Sequence, residues 1–344
     1  MEMILAALSD HLDHSYGAIS LAQELYSLGK TIGDLDIQLE LLGHGRHVLT
    51  PSEIDICSIA KQFRRHERDN GIDTSYANST TDNRQQRMDA QKILMAAELI
   101  YAARTSQRSI SSLPQECKPT DMSEAMRIIG AVSSLVAEPI VGWKIAAKPE
   151  SAHCWAPLFE SRVFASPARI QPSLSNLRLV EGEISFRTLS DIPARQEPYA
   201  YEEVISAVEA FLTIEILTSH YSSVTRDNFR TMSQAELFAD NMMSGAFVIG
   251  SMRLPWRGMD YSRLRFAFKQ GDTIVGGLVG ERMNLDPAVP VVLLANYLRH
   301  GIGLPAGTIV ATGSFTGALP FQHGEEVAVE VEGMGSVTAI VDHR

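Results

Sequence analysis

The sequence predicts an α+β domain, helices first and then many short strands, carried behind a small all-helical segment. Three observations predict it. Residues 88–136 hold two apolar patterns of helical period, the second behind a helix-start signal. Beyond Pro139, short β-rich runs alternate with turns and are interrupted by one further helix rather than alternating regularly with helices. Between Ser75 and Arg87 the run SYANSTTDNRQQR is almost free of aliphatic residues and reads as a linker to whatever precedes it.

The chain has 344 residues, 45% hydrophobic and 21% charged, enough apolar material for a large core. Its 30 Lys and Arg against 41 Asp and Glu give a net charge of -11. Such a balance argues against nucleic acid and anionic membrane surfaces as partners, because both select basic faces. Cys57, Cys117 and Cys154 are odd in number and widely spaced, so neither a disulfide framework nor a zinc site is expected. The opening MEMILAALSDHLD lacks a basic start and is a poor signal peptide, and no apolar run approaches a bilayer span. A soluble cytoplasmic protein is the expectation.

Taken in order, the first sixty residues hold nine acids against Lys30 and Arg46. Leu21, Leu25 and Leu28 recur at helical spacing before Gly29, and Thr50-Pro51-Ser52-Glu53 is a helix start with capping-box spacing. KQFRRHERDN at 61–70 is a mixed-charge burst, read as a solvated helix face rather than a partner patch. Residues 1–83 thus form a helical extension with its polar linker, and residues 84–344 the main domain. There, a helix is expected over 88–105 and another from Asp121-Met122-Ser123-Glu124 to about Val136. Strands follow in IVGWKIAA, NLRLVEGEISFR, AFLTIEIL, SGAFVIGS, TIVGGLV, TIVATGS, EVAVEVEG and SVTAIVD, with a helix over about 287–300.

Four residues are chemically out of place in this pattern. In Val180-Glu181-Gly182-Glu183, the alternation of a strand puts Glu181 and Glu183 on one face, where they repel unless a cation or a shared proton intervenes. Taken alone, the pair reads as an exposed acidic face. Glu215, in FLTIEIL, has the most apolar setting of any acid in the chain, and an unpaired buried carboxylate is costly. A Lys or Arg partner or a metal ion would resolve it. Three carboxylates without His or Cys suit Mg²⁺, Mn²⁺ or Ca²⁺. Lys144 interrupts the apolar strand IVGWKIAA. It is a lysine snorkelling at a strand edge, an acid–base group whose pKa burial has lowered toward neutrality, or a holder of a substrate carboxylate. Asp240-Asn241-Met242-Met243-Ser244 is a polar turn into a strand, and Gly313-Ser314-Phe315-Thr316-Gly317 offers hydroxyls and amides to an anion.

VGWKIAAK, LVEGEISF, IEILTSHY, ADNMMSGAFVIG and ATGSFTGALPFQHGEEVAVEVEGMGSV occur in the order seen in the 2-keto-4-pentenoate hydratase family. That family includes 2-oxohept-3-enedioate hydratase and 4-oxalocrotonate decarboxylase, within the fumarylacetoacetate hydrolase superfamily. The resemblance covers roughly residues 90–344; AAELIYAARTSQRSISSL is similar to the family's first helix, and residues 1–83 have no counterpart.

The resemblance implies a distorted, mostly antiparallel β-roll flanked by helices. It also implies that Glu181, Glu183 and Glu215 bind Mg²⁺ (or Mn²⁺), that Lys144 is catalytic, and that Ser244, Ser314 and Thr316 line the substrate pocket. The implied partner is a small 2-oxo acid or 2-hydroxy-dienoate, with a homo-oligomer expected. The implied activity is hydration in meta-cleavage catabolism of aromatics, the alternatives being decarboxylation, C–C hydrolysis or a non-catalytic role. Two departures bear on this choice. The family's Asp-Ser-Arg after the third glutamate is here Thr218-Ser219-His220. A loop aspartate after the lysine is also missing, where His153-Cys154-Trp155-Ala156-Pro157-Leu158 stands in a shorter loop.

Overall fold

The computed structural model describes residues 88–146, 154–261, 264–279 and 286–343. The helical extension and linker expected over 1–83, and the rest of the polar run to Arg87, lie outside the described residues. Helix α1 (Ala90–Ser106) starts where Asp89 accepts from the Lys92 N–H at 2.9 Å, and it buries Ile93, Ala96, Ala97, Ile100 and Ala103 along one face. Helix α2 (Met122–Val136) is capped by Asp121, which accepts from the Glu124 N–H at 2.9 Å, and ends in a left-handed Ala137. The reciprocal half of the expected capping box is absent. The buried Glu124 carboxylate instead accepts from the N–H groups of Met88 (2.6 Å) and Thr120 (2.8 Å), tying the start of α1 to the start of α2.

After Pro139 come β1 (Ile140–Ala146) and β2 (Cys154–Phe159). The loop expected at His153–Leu158 is therefore mostly strand. Pro157 argues against a central strand, but β2 lies at a sheet edge, where a proline is tolerated. The short strands β3 (Val163–Ala165) and β4 (Ala168–Ile170) precede the long β5 (Leu179–Thr188). Then follow α3 (Tyr201–Ser206), β6 (Val208–Leu217), α4 (Gln234–Ala239), β7 (Ser244–Leu254), β8 (Arg265–Gln270) and β9 (Thr273–Val279). Helix α5 (Val289–Leu298) matches the single late helix, and β10 (Ile309–Ser314), β11 (Leu319–Pro320), β12 (Glu326–Val331) and β13 (Gly335–Val341) complete the chain.

The strands form two sheets. One is ordered β2-β1-β10-β5-β6-β7-β3, with β11 also on β5; the other is β4-β13-β12-β8-β9. Only β1–β10, β3–β7 and β4–β13 are parallel, so the roll is mostly antiparallel, as expected. One apolar core joins both sheets, including Val180, Ile184, Ile214 and Val248 of the first and Val327, Val329, Val337 and Ala339 of the second. A second core packs α1, α2 and α4 over Leu179, Leu217 and Tyr221, at the end of β5 and β6 where the acidic residues lie.

Candidate active site

Strands β5 and β6 pair antiparallel with Glu181 opposite Glu215 and Glu183 opposite Thr213. Directly opposed residues share a face, so the register brings all three glutamates together. One oxygen of each lies within 4.8 Å of the others. Gly182 keeps the two β5 acids close to their neighbours, because a Cβ there would lie 2.8 Å from Thr316 Cγ2 and 2.9 Å from Val329 Cγ1. On the other side, β10 carries one residue more than β5 between the pairs Ala311–Ser185 and Ser314–Glu183. This bulge, with Gly313 at φ 103°, lies beside Glu183, the kind of place where bulges re-aim side chains.

Lys144 is 8% exposed, and its Nζ lies 2.6 Å from Glu215 Oε2 while donating to the Met242 carbonyl at 3.1 Å. It therefore does not snorkel to solvent. Burial disfavours the ammonium, but Glu215, Glu181 and Glu183 outweigh it, so the Lys144 pKa is raised rather than lowered. The acid–base reading based on a burial-lowered pKa is corrected accordingly: the carboxylates dominate. Burial raises the Glu181 pKa to about 7 against the opposing pull of Lys144, and burial followed by Glu215 lifts Glu183 well above the carboxylate range. Glu183 and Glu215 are fully buried; both oxygens of Glu183 and Oε1 of Glu215 lack a well-formed hydrogen bond. Three converging oxygen donors, crowded in charge and short of donors, fit a hard divalent cation.

The other sequence candidates lie beside this cluster. The Thr316 hydroxyl accepts from the Gly182 N–H at 2.8 Å and donates to the Gly317 carbonyl at 2.8 Å. Ser314 Oγ lies 3.4 Å from the Gly182 carbonyl and 3.3 Å from Thr316 Oγ1. Both hydroxyls thus brace the backbone between Glu181 and Glu183. Ser244 opens β7, buried and opposite Leu217.

A cavity of about 220 Å³ opens over Lys144, with Arg230 and Gln234 set in an otherwise apolar wall that includes Phe238, Met242 and Met243. Ser244, Ser314 and Thr316 are not among its lining residues. Arg230 and Gln234 escaped the sequence reading because they sit in a polar stretch with no motif; only the chain's folding over Lys144 distinguishes them. Arg230 also acts electrostatically on Glu181.

No protein-family model matches the chain. It is 27% identical over 223 residues to a 2-keto-4-pentenoate hydratase 2 of Dechloromonas aromatica (strain RCB), covering 64% of this chain and 80% of the relative. A second hydratase of that organism is 26% identical over 71% of this chain and 95% of its own length. A 4-oxalocrotonate decarboxylase of Pseudomonas sp. (strain CF600) is 29% identical over 46% of this chain and 58% of the relative. Among solved structures, 4-oxalocrotonate decarboxylase from Pseudomonas putida G7, complexed with magnesium and adipate, superposes with a TM-score of 0.63. It is 22% identical and covers 75% of this chain and 100% of that one, which shows a shared fold. Among the described residues no helix is long and apolar enough to cross a membrane.

Proposed function

The chain is a relative of the 2-keto-4-pentenoate hydratases and 4-oxalocrotonate decarboxylases, and on that premise we propose a divalent-metal-dependent lyase acting on a small 2-oxo acid or 2-hydroxy-dienoate. The observation that carries this reading is Lys144, which lines the cavity, paired with Glu215 in a cluster of three converging carboxylates. Glu181, Glu183 and Glu215 would hold Mg²⁺ or Mn²⁺. A bound ion would supply positive charge for the substrate's oxygens and, by neutralising those carboxylates, loosen the hold of Lys144 on its proton.

The chain's own residues do the rest. An ammonium has three N–H donors, and Glu215 and Met242 engage two of them, leaving one for a substrate oxygen. Lys144 Nζ can thereby orient the acid and move a proton. Arg230 brings a second positive charge to an anionic substrate, and the apolar wall limits water. In the hydratase reading, water adds across the conjugated double bond of a 2-hydroxy-dienoate and gives a 4-hydroxy-2-oxo acid.

One observation favours a second reading, decarboxylation or C–C cleavage. Among the described residues the cavity wall offers no carboxylate or imidazole to activate water, and β2 is apolar where the family's loop acid would stand. The deciding experiment assays the purified protein with Mg²⁺ against 2-hydroxy-dienoates, oxalocrotonates and acylpyruvates. Turnover of the first class supports the hydratase, CO₂ from the second the decarboxylase, and turnover of none removes the enzymatic reading.

A further inference from the structure

Asn241, Met242 and Met243 have φ of 51°, 53° and 59°. Three successive L-residues in left-handed conformation are unusual, since even Asn visits it as a single residue. Such a run persists only where its surroundings over-determine it. Here they do. Asp240, fully buried in its side chain, accepts at Oδ2 from Ser219 Oγ and the His220 N–H, both at 2.8 Å, and its Oδ1 lies 2.6 Å from His220 Nδ1. The Thr218 N–H donates to the Met243 carbonyl at 2.9 Å, and Asn241 Nδ2 donates to the Pro157 carbonyl of β2 at 3.3 Å. Buried Arg104 of α1 is near enough for its charge to interact with Asp240. The end of β6, the edge strand β2 and α1 thus converge on this one turn.

The turn presents the Met242 carbonyl to Lys144. The ammonium has two anchors among the described residues, Glu215 and this carbonyl, and Glu215 is also a candidate metal ligand. Whatever shares Glu215 leaves Met242 as the anchor that belongs to Lys144 alone. We propose that Asp240, through Ser219 and His220, is a positioning residue for Lys144, locking the left-handed turn that aims the Met242 carbonyl at its ammonium. The inference rests on the reading of Lys144 as the active-site lysine. It also gives a role to His220, which stands where the family resemblance leads one to expect arginine.

The test compares wild type with His220→Leu, which removes the donor to Asp240, and His220→Asn, whose amide can donate from near the Nδ1 position. Lys144 acylation by acetic anhydride is followed by mass spectrometry in chelator and in Mg²⁺, alongside melting curves, kcat and KM. The Leu variant should keep the metal-dependent rise in Tm and acylate Lys144 about fivefold faster, as losing one hydrogen bond implies. Its kcat should fall at least about tenfold with KM nearly unchanged, the sign of misplacement rather than lost binding. The Asn variant should restore both. Equal acylation rates in Leu variant and wild type, or failure of Asn to restore them, would overturn the proposal. Should the Leu variant not fold, Ser219→Ala removes one donor only and is read in the same way. Should wild type turn over none of the acids, the proposed reaction fails while the acylation ratio still decides this inference.

Discussion

Lys144 illustrates how strongly a residue's chemistry depends on its neighbours. Burial alone would drive its proton off, but three glutamates reverse that effect. Replacing it with Met keeps most of the stem's packing and removes the charge. We expect Lys144→Met to fold, to lose at least about a hundredfold in kcat as loss of a general acid–base group does, and to be checked by steady-state assay beside a melting curve. Near-normal turnover would make the lysine a structural ion-pair partner. Glu181 makes a prediction about pH. Folded, it keeps its proton to about pH 7; its ordinary value is 4.5. The folded state therefore binds more protons in this window, and stability falls as pH rises through it. In chelator, Glu181→Gln should gain stability relative to wild type between about pH 4.5 and 7; a constant difference would contradict the assigned shift. The sequence exposed these residues because charge in an apolar strand is conspicuous. It could not expose Arg230, whose part depends on a fold-back that no local pattern encodes.

At the scale of elements, the site depends on register. Glu181 opposes Glu215 because β5 and β6 pair without interruption over ten residues, and a one-residue slip would turn one set of acids away. The E-x-E spacing in β5 was legible because side chains alternate with period two, while β1, β5, β6, β7, β9, β10, β12 and β13 were legible as short β-rich apolar runs between turn signals. The short strands β3, β4, β8 and β11 and the six-residue helices α3 and α4 were not, since so few residues carry no measurable period. Strand β2 was read as a loop because the family resemblance sets a loop there, and no local pattern reveals that its proline lies at a sheet edge. Close approach between β1 and β10 is a further requirement. A Cβ on Gly142 would lie 2.3 Å from the Ile309 carbonyl oxygen, a backbone atom with little room to yield. Gly142→Ala should therefore cost about 1–3 kcal/mol, the range for overpacking, and displace Lys144 two residues along. Denaturant melts and kcat measured together would check it; an unchanged midpoint would show that the strands can separate freely.

For the whole molecule, the family resemblance implied a β-roll beside helices, and the described residues form that architecture. Sequence also placed the main domain at 84–344, with a polar run before it that has little to bury. A chain of residues 84–344 should then be soluble and keep its metal-dependent rise in Tm; insolubility would mean that the N-terminal segment completes the core. Sedimentation of the full chain would check the expected homo-oligomer. The central claim is that the three glutamates act as one cation site, and the structure points to Glu183 as the residue that tests it. Glu215 is paired with Lys144, so its removal would disturb a salt bridge whatever the site does. Glu183 is fully buried, and neither oxygen has a well-formed hydrogen bond. Melting curves of wild type and Glu183→Gln, each in chelator and in Mg²⁺ or Mn²⁺, are the direct measurement. The account predicts that metal raises the wild-type Tm by mass action, that Glu183→Gln melts no lower than wild type in chelator, and that the variant loses the metal-dependent rise. A wild type indifferent to metal and chelator, or a variant that keeps the full rise, would contradict it.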